Sequence, residues 1–336
     1  MTNGLRQSHE EERSVTVIRD EPDFDELIER YRTELLAHCY RMLGSVHDAE
    51  DVVQESYLRA WRAREQYDAA RSSVRTWMFR IATNACLTAL SSRSRRPLPS
   101  GLVAESDPRE PLVPGHEITW LQPLPDSLLD GGDPARSAVD RDGLRLAFVA
   151  ALQHLSARQR AVLILRDVLE FSAAEAAEIL GTTVISVNSA LRRARASVEA
   201  AGAHPDRVDE PTEAEQRVWI ERYMRAFVEA DIEGLTRLLA EDVLMEMPPM
   251  LNWFVGRDNY VVFMEWVFRA AGTDWRLASV SANGQPGFAA YRRRGETYAL
   301  HTVQLFTVGP HGITRNSVFQ DDGVFASFGL AREIEP

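Results

Sequence analysis

The stretch FSAAEAAEILGTTVISVNSALRRARASV, residues 171–198, decides the fold of the middle of the chain. Ser172 and Glu175 have the S-x-x-E spacing of a capping box, which starts a helix. Gly181 closes that helix in a turn, and a second helix begins near Thr183. A short helix, a glycine-containing turn and a second helix together predict a helix-turn-helix.

The two faces of the second helix differ in chemistry. Apolar residues at i, i+3, i+7, i+10 and i+14 predict a buried stripe, made of Val184, Val187, Leu191, Ala194 and Val198. The opposite face has small polar residues early and arginines later: Ser186, Asn188, Ser189, Arg192, Arg193 and Arg195. A basic helix face alone is as often a solvated surface as a binding surface. The capped helix and the glycine turn favour a recognition helix that enters the major groove of DNA.

The net charge of the whole chain argues against DNA binding, but the charge is distributed unevenly along the sequence. The 336 residues carry a net charge of −12 and the pI is near 5.2, whereas a DNA-contacting domain is expected to be basic. Residues 71–97 hold six arginines and no acid, while residues 98–133 hold seven acids and one arginine. Eight of the 16 prolines lie between Pro97 and Pro134, which predicts a linker there rather than a helix or a central strand.

Composition excludes several classes of protein. No apolar run approaches the roughly 18–20 residues of a membrane helix, and the polar, acidic start is not that of a signal peptide. Two cysteines, Cys39 and Cys86, cannot make a disulfide framework, and nothing resembles a metal site. We therefore expect a cytoplasmic protein that has no membrane contact, no metal and no cofactor.

The N-terminal part is predicted to be helical. FDELIERYRTELLAHCYRMLG, residues 24–44, has apolar positions at helical spacing and ends at Gly44. Ser45 is the expected N-cap of a second helix that contains AEDVVQESYLRAW, residues 49–61, and a third helix covers about 73–92. The second helix carries an acidic stripe, which by itself is more often a solvated face than a partner site: Asp48, Asp51 and Glu55.

The last third of the chain has a different composition, since 17 of the 28 aromatic residues fall in 219–336. Two helices and a short strand are expected in 213–249, and one more helix in 256–271. Alternating strands separated by the turns NGQPG, RGE and GPHG follow in 275–330. This order predicts a unit of helices and an antiparallel sheet.

Three stretches carry a resemblance to a known family. AEDVVQESYLRAW at 49–61 resembles region 2.2 of the extracytoplasmic-function (group IV) sigma factors of bacterial RNA polymerase. YDAARSSVRTWMFRIATNACLTAL at 67–90 is similar to their regions 2.3 and 2.4, and residues 155–196 resemble their region 4. The stretches occur in the expected order, with a linker where this family lacks region 3. The resemblance implies a subunit that binds core RNA polymerase and promoter DNA and is not an enzyme.

The resemblance also implies roles for particular residues. Those matching the helix that docks on the clamp helices of the polymerase β′ subunit are Asp48, Glu50, Asp51, Gln54 and Glu55. Those matching the part that captures and melts the −10 element are Arg71, Arg75, Trp77, Arg80 and Asn84, although Trp77 is equally consistent with a core residue. Those matching the −35 recognition helix are Ser186, Asn188, Ser189, Arg192 and Arg193. The β flap is a second polymerase contact implied for the family, and the acidic linker matches the segment that threads near the active-site channel.

The C-terminal unit resembles the SnoaL-like (ketosteroid-isomerase, cone-shaped α+β) fold, and the whole chain resembles sigma factors that carry this domain as a fusion. Isomerases of this fold need a carboxylate base in an apolar pocket, and the candidates here are Asp242, Glu246, Asp258, Tyr298 and His301. No pair among them is placed convincingly for proton transfer, so no catalytic residue is predicted. Five aromatic residues either line a ligand pocket or belong to the core: Trp253, Phe254, Phe263, Trp266 and Phe288. The favoured hypothesis is regulation in cis, by contact of this domain with the sigma core or linker.

The predicted fold class is therefore multidomain, with two all-α sigma domains and one α+β cone-shaped domain. The predicted boundaries are a disordered tail at 1–19, sigma region 2 at 20–96, an acidic linker at 97–136, region 4 at 137–202, a linker at 203–212 and a SnoaL-like domain at 213–332. Two alternatives remain open at this point. One is a helix-turn-helix regulator with a ligand-sensing C-terminal domain, which leaves the acidic helix at 49–61 without a role. The other is a small-molecule isomerase or hydratase with a DNA-binding appendage.

Overall fold

A computed structural model describes residues 29–92, 94–129, 143–200 and 211–336. The predicted tail at 1–19 lies outside the described residues, as do parts of the predicted region 2, of region 4 and of both linkers. Within the described residues, no helix is long and apolar enough to cross a membrane, and no group of His, Cys, Asp and Glu is arranged to hold a metal ion.

The first helical unit consists of α1 (Arg32–Leu43), α2 (Val46–Ala63) and α3 (Val74–Leu90). Gly44 ends α1 in the left-handed conformation, with φ +69°, which glycine adopts without steric cost. The Ser45 side chain accepts a hydrogen bond from the backbone N–H of Asp48 and so caps α2, as the sequence predicts. The helices bury a shared core that includes Leu35, Trp77 and Phe79.

The second helical unit consists of α4 (Leu146–Leu152), α5 (Ala157–Leu163), α6 (Ala173–Ile179) and α7 (Val184–Ala200). A single π-helical turn, Ile164–Val168, extends α5. The unit packs on the first one through Arg160, which is 3% exposed and donates to the backbone carbonyls of Met42, Gln153 and Leu155. A buried guanidinium needs several such acceptors, so this side chain fixes the two helical units together.

The C-terminal unit is an α+β domain. It contains α8 (Glu213–Val228), α9 (Ile232–Leu238), β1 (Leu239–Glu246), β2 (Trp253–Val255), α10 (Arg257–Ala271), β3 (Trp275–Ala282), β4 (Gln285–Arg294), β5 (Thr297–Gly309), β6 (Gly312–Phe319), α11 (Asp322–Ser327) and β7 (Glu333–Ile334). The sheet order is β2-β1-β6-β5-β4-β3, with β7 paired to β5. Only the β1–β6 pair among these is parallel.

Both faces of this sheet are buried. Along β4, Phe288 and Ala290 belong to the internal core beneath α8, whereas Ala289 and Tyr291 alternate with them on the other face. That second face belongs to one continuous apolar cluster with the two helical units, which also includes Leu124 of the linker. The C-terminal domain is therefore packed into the rest of the molecule rather than tethered beside it.

The linker is ordered over 94–129 and contains only short 3₁₀ turns, Pro99–Gly101 and Asp126–Leu128, with no α-helix or strand in that range. It runs along the C-terminal domain. The backbone N–H of Gly115 donates to Pro249 O at 2.8 Å, and that of Leu251 donates to Val113 O at 2.8 Å. Glu105 accepts hydrogen bonds from Val255 N and Asn259 Nδ2. The acidic and proline-rich composition of the linker thus coincides with an extended path along the surface of the C-terminal domain.

Asn283, at the tip of the β3–β4 hairpin, is completely buried and joins three parts of the chain. Its amide exchanges hydrogen bonds with the Tyr40 hydroxyl of α1, and it donates to the backbone carbonyl of Leu144. The side-chain oxygen of Asn283 accepts a hydrogen bond from the backbone N–H of Leu124, and the backbone N–H of Asn283 donates to the backbone carbonyl of Leu124, both at 2.9 Å. We call these four residues, Tyr40, Leu124, Leu144 and Asn283, the Asn283 junction.

His38 makes the stability of the fold depend on pH. Complete burial, reinforced by Arg41 and Arg75, lowers the pKa of His38 to about 3. Between this value and 6.5 the unfolded chain binds a proton that the folded chain does not, so stability is full above pH 6.5 and falls as the pH drops. We expect a loss of about 1.4 kcal/mol per pH unit from this residue. Urea unfolding at pH 7.5 and pH 5.0 measures it, and His38→Met, which has no titrating group, should lose that part of the dependence. An equal pH dependence in both proteins would contradict this prediction.

Candidate nucleic-acid and polymerase interfaces

The helix-turn-helix forms as the sequence predicts. Ser172 and Glu175 make the reciprocal capping box at the start of α6, and Gly181 takes φ +59° in the turn. Four residues of the predicted stripe on α7 are buried: Val187, Leu191, Ala194 and Val198. The prediction is wrong for Val184, which is 41% exposed because it lies in the first turn, beyond the edge of the underlying core.

The outer face of α7 is open. Ser186, Asn188, Arg192 and Arg193 are exposed and Ser189 is half-buried. Among the described residues, neither Arg192 nor Arg193 has an ion-pair partner, so both guanidinium groups are available to an anion. Ser186 has a second role, because its hydroxyl and its N–H both bond to the Thr183 hydroxyl at the start of the helix.

Arg195 differs from the other two arginines of α7. Its guanidinium makes two hydrogen bonds to the Asp167 carboxylate, at 2.7 and 2.8 Å, and these bonds raise the pKa of Arg195 above its usual range. The pair links α7 to the π-helical turn after α5. Arg195 therefore holds α7 on the turn that follows α5, and this pair leaves the outer face of the helix unused.

The predicted polymerase face of α2 is divided. Asp51 and Gln54 are exposed, Glu50 is half-buried, and Glu55 pairs with Arg59 at 2.7 Å. Asp48, by contrast, turns toward the linker and pairs with Arg96 at 2.7 Å, where both side chains are 13% exposed. The exposed Leu58 continues this face one turn after Gln54 and two turns after Asp51, and it is not among the residues that the sequence predicts for this interface.

The predicted −10 residues are not all free in this arrangement. Arg71 and Asn84 are exposed, and Trp77 is 5% exposed and belongs to the core, the second of its two interpretations. Arg80 approaches Glu178 of α6 at 3.9 Å.

Arg75 joins the two helical units. It pairs with Glu34 of α1, donates to Leu169 O at 3.1 Å, and lies over the Phe171 ring with its guanidinium carbon 4.1 Å from the centroid. The prediction that this side chain faces DNA follows from the family resemblance of residues 67–90. The partner Glu34 is 41 residues away in the chain, a distance at which local pattern carries no signal.

The five acid–base candidates of the C-terminal domain do not form a reaction centre. Asp242 and Asp258 are exposed, and the Tyr298 hydroxyl donates to Asp274 at 2.7 Å. Burial, with Arg292 nearby, lowers the pKa of His301, so this ring is neutral near pH 7. Glu246 is completely buried and is neutralised by Arg315 at 2.6 Å.

The interior of the cone is filled by a hydrogen-bonded set of side chains. The hydroxyls of Tyr223 and Tyr260 lie 2.6 Å apart, and Asn316 donates to the Tyr260 hydroxyl and to Gln304. Burial raises the pKa of Tyr260 to about 12 and that of Tyr223 well above its usual value. Both phenols are therefore neutral hydrogen-bonding groups rather than proton-transfer groups near pH 7.

The five aromatic pocket candidates do not line either of two clefts that lie among the described residues. Phe254, Phe263 and Phe288 are core residues, Trp266 is 44% exposed, and the indole N–H of Trp253 donates to Val103 O at 3.0 Å. One cleft, of about 250 Å³, lies between linker residues 118–122 and the Pro248–Pro249 turn. The other, of about 480 Å³, lies between α8 and the β3–β4 hairpin, with Asp126 at its edge.

Comparison with known proteins accounts for this arrangement. Residues 27–96 match the family described as Sigma-70 region 2, residues 145–198 match Sigma-70, region 4, and residues 220–316 match the SnoaL-like domain. The ECF RNA polymerase sigma factor SigG of Mycobacterium tuberculosis (strain ATCC 25618 / H37Rv) is 46% identical over 311 residues, which cover 92% of this chain and 84% of that protein. The chain belongs to the ECF RNA polymerase sigma factors.

Other relatives of this ECF sigma factor support the same family and fold. The ECF RNA polymerase sigma factor SigJ of the same strain is 28% identical over 82% of this chain and 86% of its own. The crystal structure of Mycobacterium tuberculosis SigJ has the same fold, with a TM-score of 0.62, 22% identity, and coverage of 91% of this chain and 99% of that one. The predicted fold class, two helical sigma domains followed by an α+β SnoaL-like domain, is confirmed. Neither alternative from the sequence accounts for the region 2 match.

The sequence does not predict the burial of Asn283. The Asn283–Gly284 dipeptide predicts a hairpin turn, and both residues do have positive φ, +58° and +64°. Nothing in the local sequence distinguishes this turn from a solvent-exposed one. The complete burial of Asn283 and its bonds to Tyr40, Leu124 and Leu144 arise only from tertiary packing.

Proposed function

We propose that this ECF sigma factor works in the cytoplasm, binds core RNA polymerase and directs it to promoters, and needs no metal or cofactor. The observation that carries the proposal is the open face of α7, where Arg192 and Arg193 lie beside small polar residues and have no ion-pair partner among the described residues. Transcription from a selected promoter by core enzyme with and without the chain tests it. Initiation that does not depend on the chain would contradict it.

For the −35 element, we propose readout by α7, with Ser186, Asn188, Ser189, Arg192 and Arg193 facing the groove. The N-terminal turns of a recognition helix approach base edges, and later arginines reach guanines or phosphates. The fixed pair of Arg195 with Asp167 supports this, because it holds the helix on its domain without using the outer face.

For core polymerase, we propose docking through α2, by Glu50, Asp51, Gln54 and Glu55, with Asp48 joining after release from Arg96. An acidic surface favours a basic partner and speeds the encounter. The exposed Leu58 supports this interface, because removing an apolar side chain from water is favourable when a partner covers it. The β′ clamp helices are the partner that the family resemblance implies.

For the −10 element, we propose that Arg71, Arg75, Arg80 and Asn84 contact DNA only after the two helical units separate. The contacts of Arg75 with Glu34 and Leu169, and the approach of Arg80 to Glu178, support a closed free chain whose −10 surface is engaged internally. Promoter DNA then replaces the internal partners of these side chains, and its binding shifts the population of the chain from the closed toward the open state.

The C-terminal domain, we propose, regulates in cis and has no catalytic activity. Its support is the Asn283 junction, together with Glu246, whose carboxylate accepts from the Ser100 hydroxyl of the linker at 2.7 Å. Through these contacts the domain holds α1, the linker and the start of α4 in one arrangement. Catalysis is disfavoured because the Glu246 carboxylate is neutralised and the other carboxylates are exposed.

Loosening the Asn283 junction is expected to strengthen binding of the free chain to core polymerase. Asn283→Gly removes the side-chain bonds and keeps a residue that tolerates φ +58°. Tyr40→Phe removes only the hydroxyl, which bonds to Asn283 and to the backbone carbonyl of Gln122. One such bond is worth about 1 kcal/mol, so the gain is up to about fivefold for each bond lost. A titration of fluorescent sigma with core enzyme measures the affinity.

The double variant identifies the shared contact, because the two effects should be less than additive if they act through one bond. Asn259→Ala serves as the control, since it removes an amide that contacts Glu105 away from the junction. Unchanged or weaker core binding in both junction variants would contradict regulation through this contact.

A further inference from the structure

Ile185 is the anomalous residue of the recognition helix. Its side chain is 79% exposed, whereas the next most exposed large hydrophobic side chains of the described residues are Leu58 at 53% and Val113 at 49%. It lies in the first turn of α7, and no described residue covers it. A β-branched side chain in an exposed helical turn has lower helix propensity than alanine and gains nothing from packing.

The position of Ile185 on the helix is informative. At 3.6 residues per turn it lies about 150° around the helix from the buried stripe of Val187, Leu191, Ala194 and Val198. Ser189 and Arg192 follow it at i+4 and i+7 and share its face. The aliphatic side chain is therefore central to the outer face of α7, and the partner that meets Arg192 also meets Ile185.

The chemistry of the major groove narrows what Ile185 can contact. Base edges there present hydrogen-bond donors and acceptors and one apolar group, the C5 methyl of thymine. The −35 residues already proposed are serine, asparagine and arginine, which contribute hydrogen bonds and charge. Since the first turn of a recognition helix lies closest to base edges, an exposed isoleucine there has a matching target in duplex DNA.

We propose that Ile185 is a specificity-determining residue that reads a thymine of the −35 element, through contact of its side chain with the thymine C5 methyl. The proposal rests on the proposed entry of α7 into the major groove and deepens it. An apolar surface of another protein is a less suitable partner, because Arg192 on the same face has no ion-pair partner among the described residues.

The test removes the methyl group from either side of the contact. Promoters are first selected from a randomised upstream duplex library with full-length holoenzyme. Each −35 thymine is then replaced in turn by deoxyuridine, which keeps base pairing and lacks only the methyl. Holoenzymes containing wild-type chain, Ile185→Ala or Val218→Ala are compared for promoter binding, and Val218 provides an exposed aliphatic residue on α8 as the control.

At one thymine position, replacement by deoxyuridine is expected to weaken promoter binding by the wild-type and Val218→Ala holoenzymes about fourfold, the factor for removing one buried methyl. With Ile185→Ala, binding to thymine and deoxyuridine promoters should differ by less than a factor of two at that position. Core binding by Ile185→Ala should equal that of the wild type.

Three results would overturn the inference while leaving α7 as the −35 reader. The first is a selected −35 element without thymine. The second is equal discrimination between thymine and deoxyuridine by the wild-type and Ile185→Ala holoenzymes. The third is a loss of core binding by Ile185→Ala that weakens binding to every promoter alike. A holoenzyme that selects no −35 sequence at all would instead contradict the proposed function itself.

Discussion

Promoter binding by the holoenzyme is expected to weaken by about 1–3 kcal/mol when Arg192 or Arg193 is replaced by alanine, if the residue contacts a base edge. Both side chains are exposed on α7 and have no ion-pair partner among the described residues, so neither change should disturb the fold. In the double variant Arg192→Ala/Arg193→Ala, the separate losses should add only in part, because the residues are neighbours.

The kind of contact that each arginine makes can be separated by sequence and by salt. An arginine that reads a base loses discrimination at one promoter position, whereas one that meets a phosphate weakens all sequences alike and lowers the salt slope by about 1. Binding measured at several salt concentrations on matched and altered −35 elements provides both readouts. Arg222→Ala, on the exposed side of α8, controls for the loss of one positive charge. Unchanged promoter use by both single variants would exclude the two side chains from recognition.

Folding stability should fall by about 3–5 kcal/mol in Glu246→Ala, because the change leaves a buried charge pair broken. The Glu246 side chain is completely buried, pairs with Arg315 at 2.6 Å, and also accepts from the hydroxyls of Ser317 and Ser100. Removal leaves the Arg315 guanidinium, the Ser317 hydroxyl and the hydroxyl and N–H of Ser100 without their shared acceptor. Urea unfolding at pH 7.5 measures the difference.

A matched control exists on α9. Glu233 pairs with Arg237 at 2.7 Å, but the two side chains are 85% and 63% exposed, so Glu233→Ala should cost less than about 1 kcal/mol. Release of Ser100 should also expose the linker, so trypsin is expected to cleave after Arg109 faster in Glu246→Ala than in the wild type or in Glu233→Ala. Equal stability losses in Glu246→Ala and Glu233→Ala would contradict the assignment of a buried pair.

Sequence reasoning worked where the deciding interaction is local. The Ser45 cap, the Ser172–Glu175 capping box and the Gly181 turn each depend on residues within a few positions, and all three form as predicted. The strand turns also depend on short-range signals, and the NGQPG, RGE and GPHG segments lie at the β3–β4, β4–β5 and β5–β6 connections. The order of helices and strands was therefore available from the sequence.

The candidate sites were harder, because their state depends on partners far along the chain. The family resemblance implies that Arg75 faces DNA and that Asp48 faces polymerase, yet Arg75 is paired internally with Glu34 and Asp48 with Arg96. Asn283 was read only as a turn residue. No periodicity or motif encodes a contact between residues 40 and 283, so the closed arrangement of the domains required the structure.

The doubly covered sheet has a consequence for any opening of this sigma factor. If the C-terminal domain detaches, the face that carries Ala289 and Tyr291 meets water, and so does the surface around Leu124 and Leu144. Each newly wetted apolar patch favours aggregation unless another surface replaces the lost one. Opening is therefore expected to occur on the polymerase, as an exchange of one covering for another, rather than as a long-lived state of the free chain. A chain shortened before residue 211 carries this uncovered patch permanently, so single substitutions at the junction are the cleaner probe of regulation.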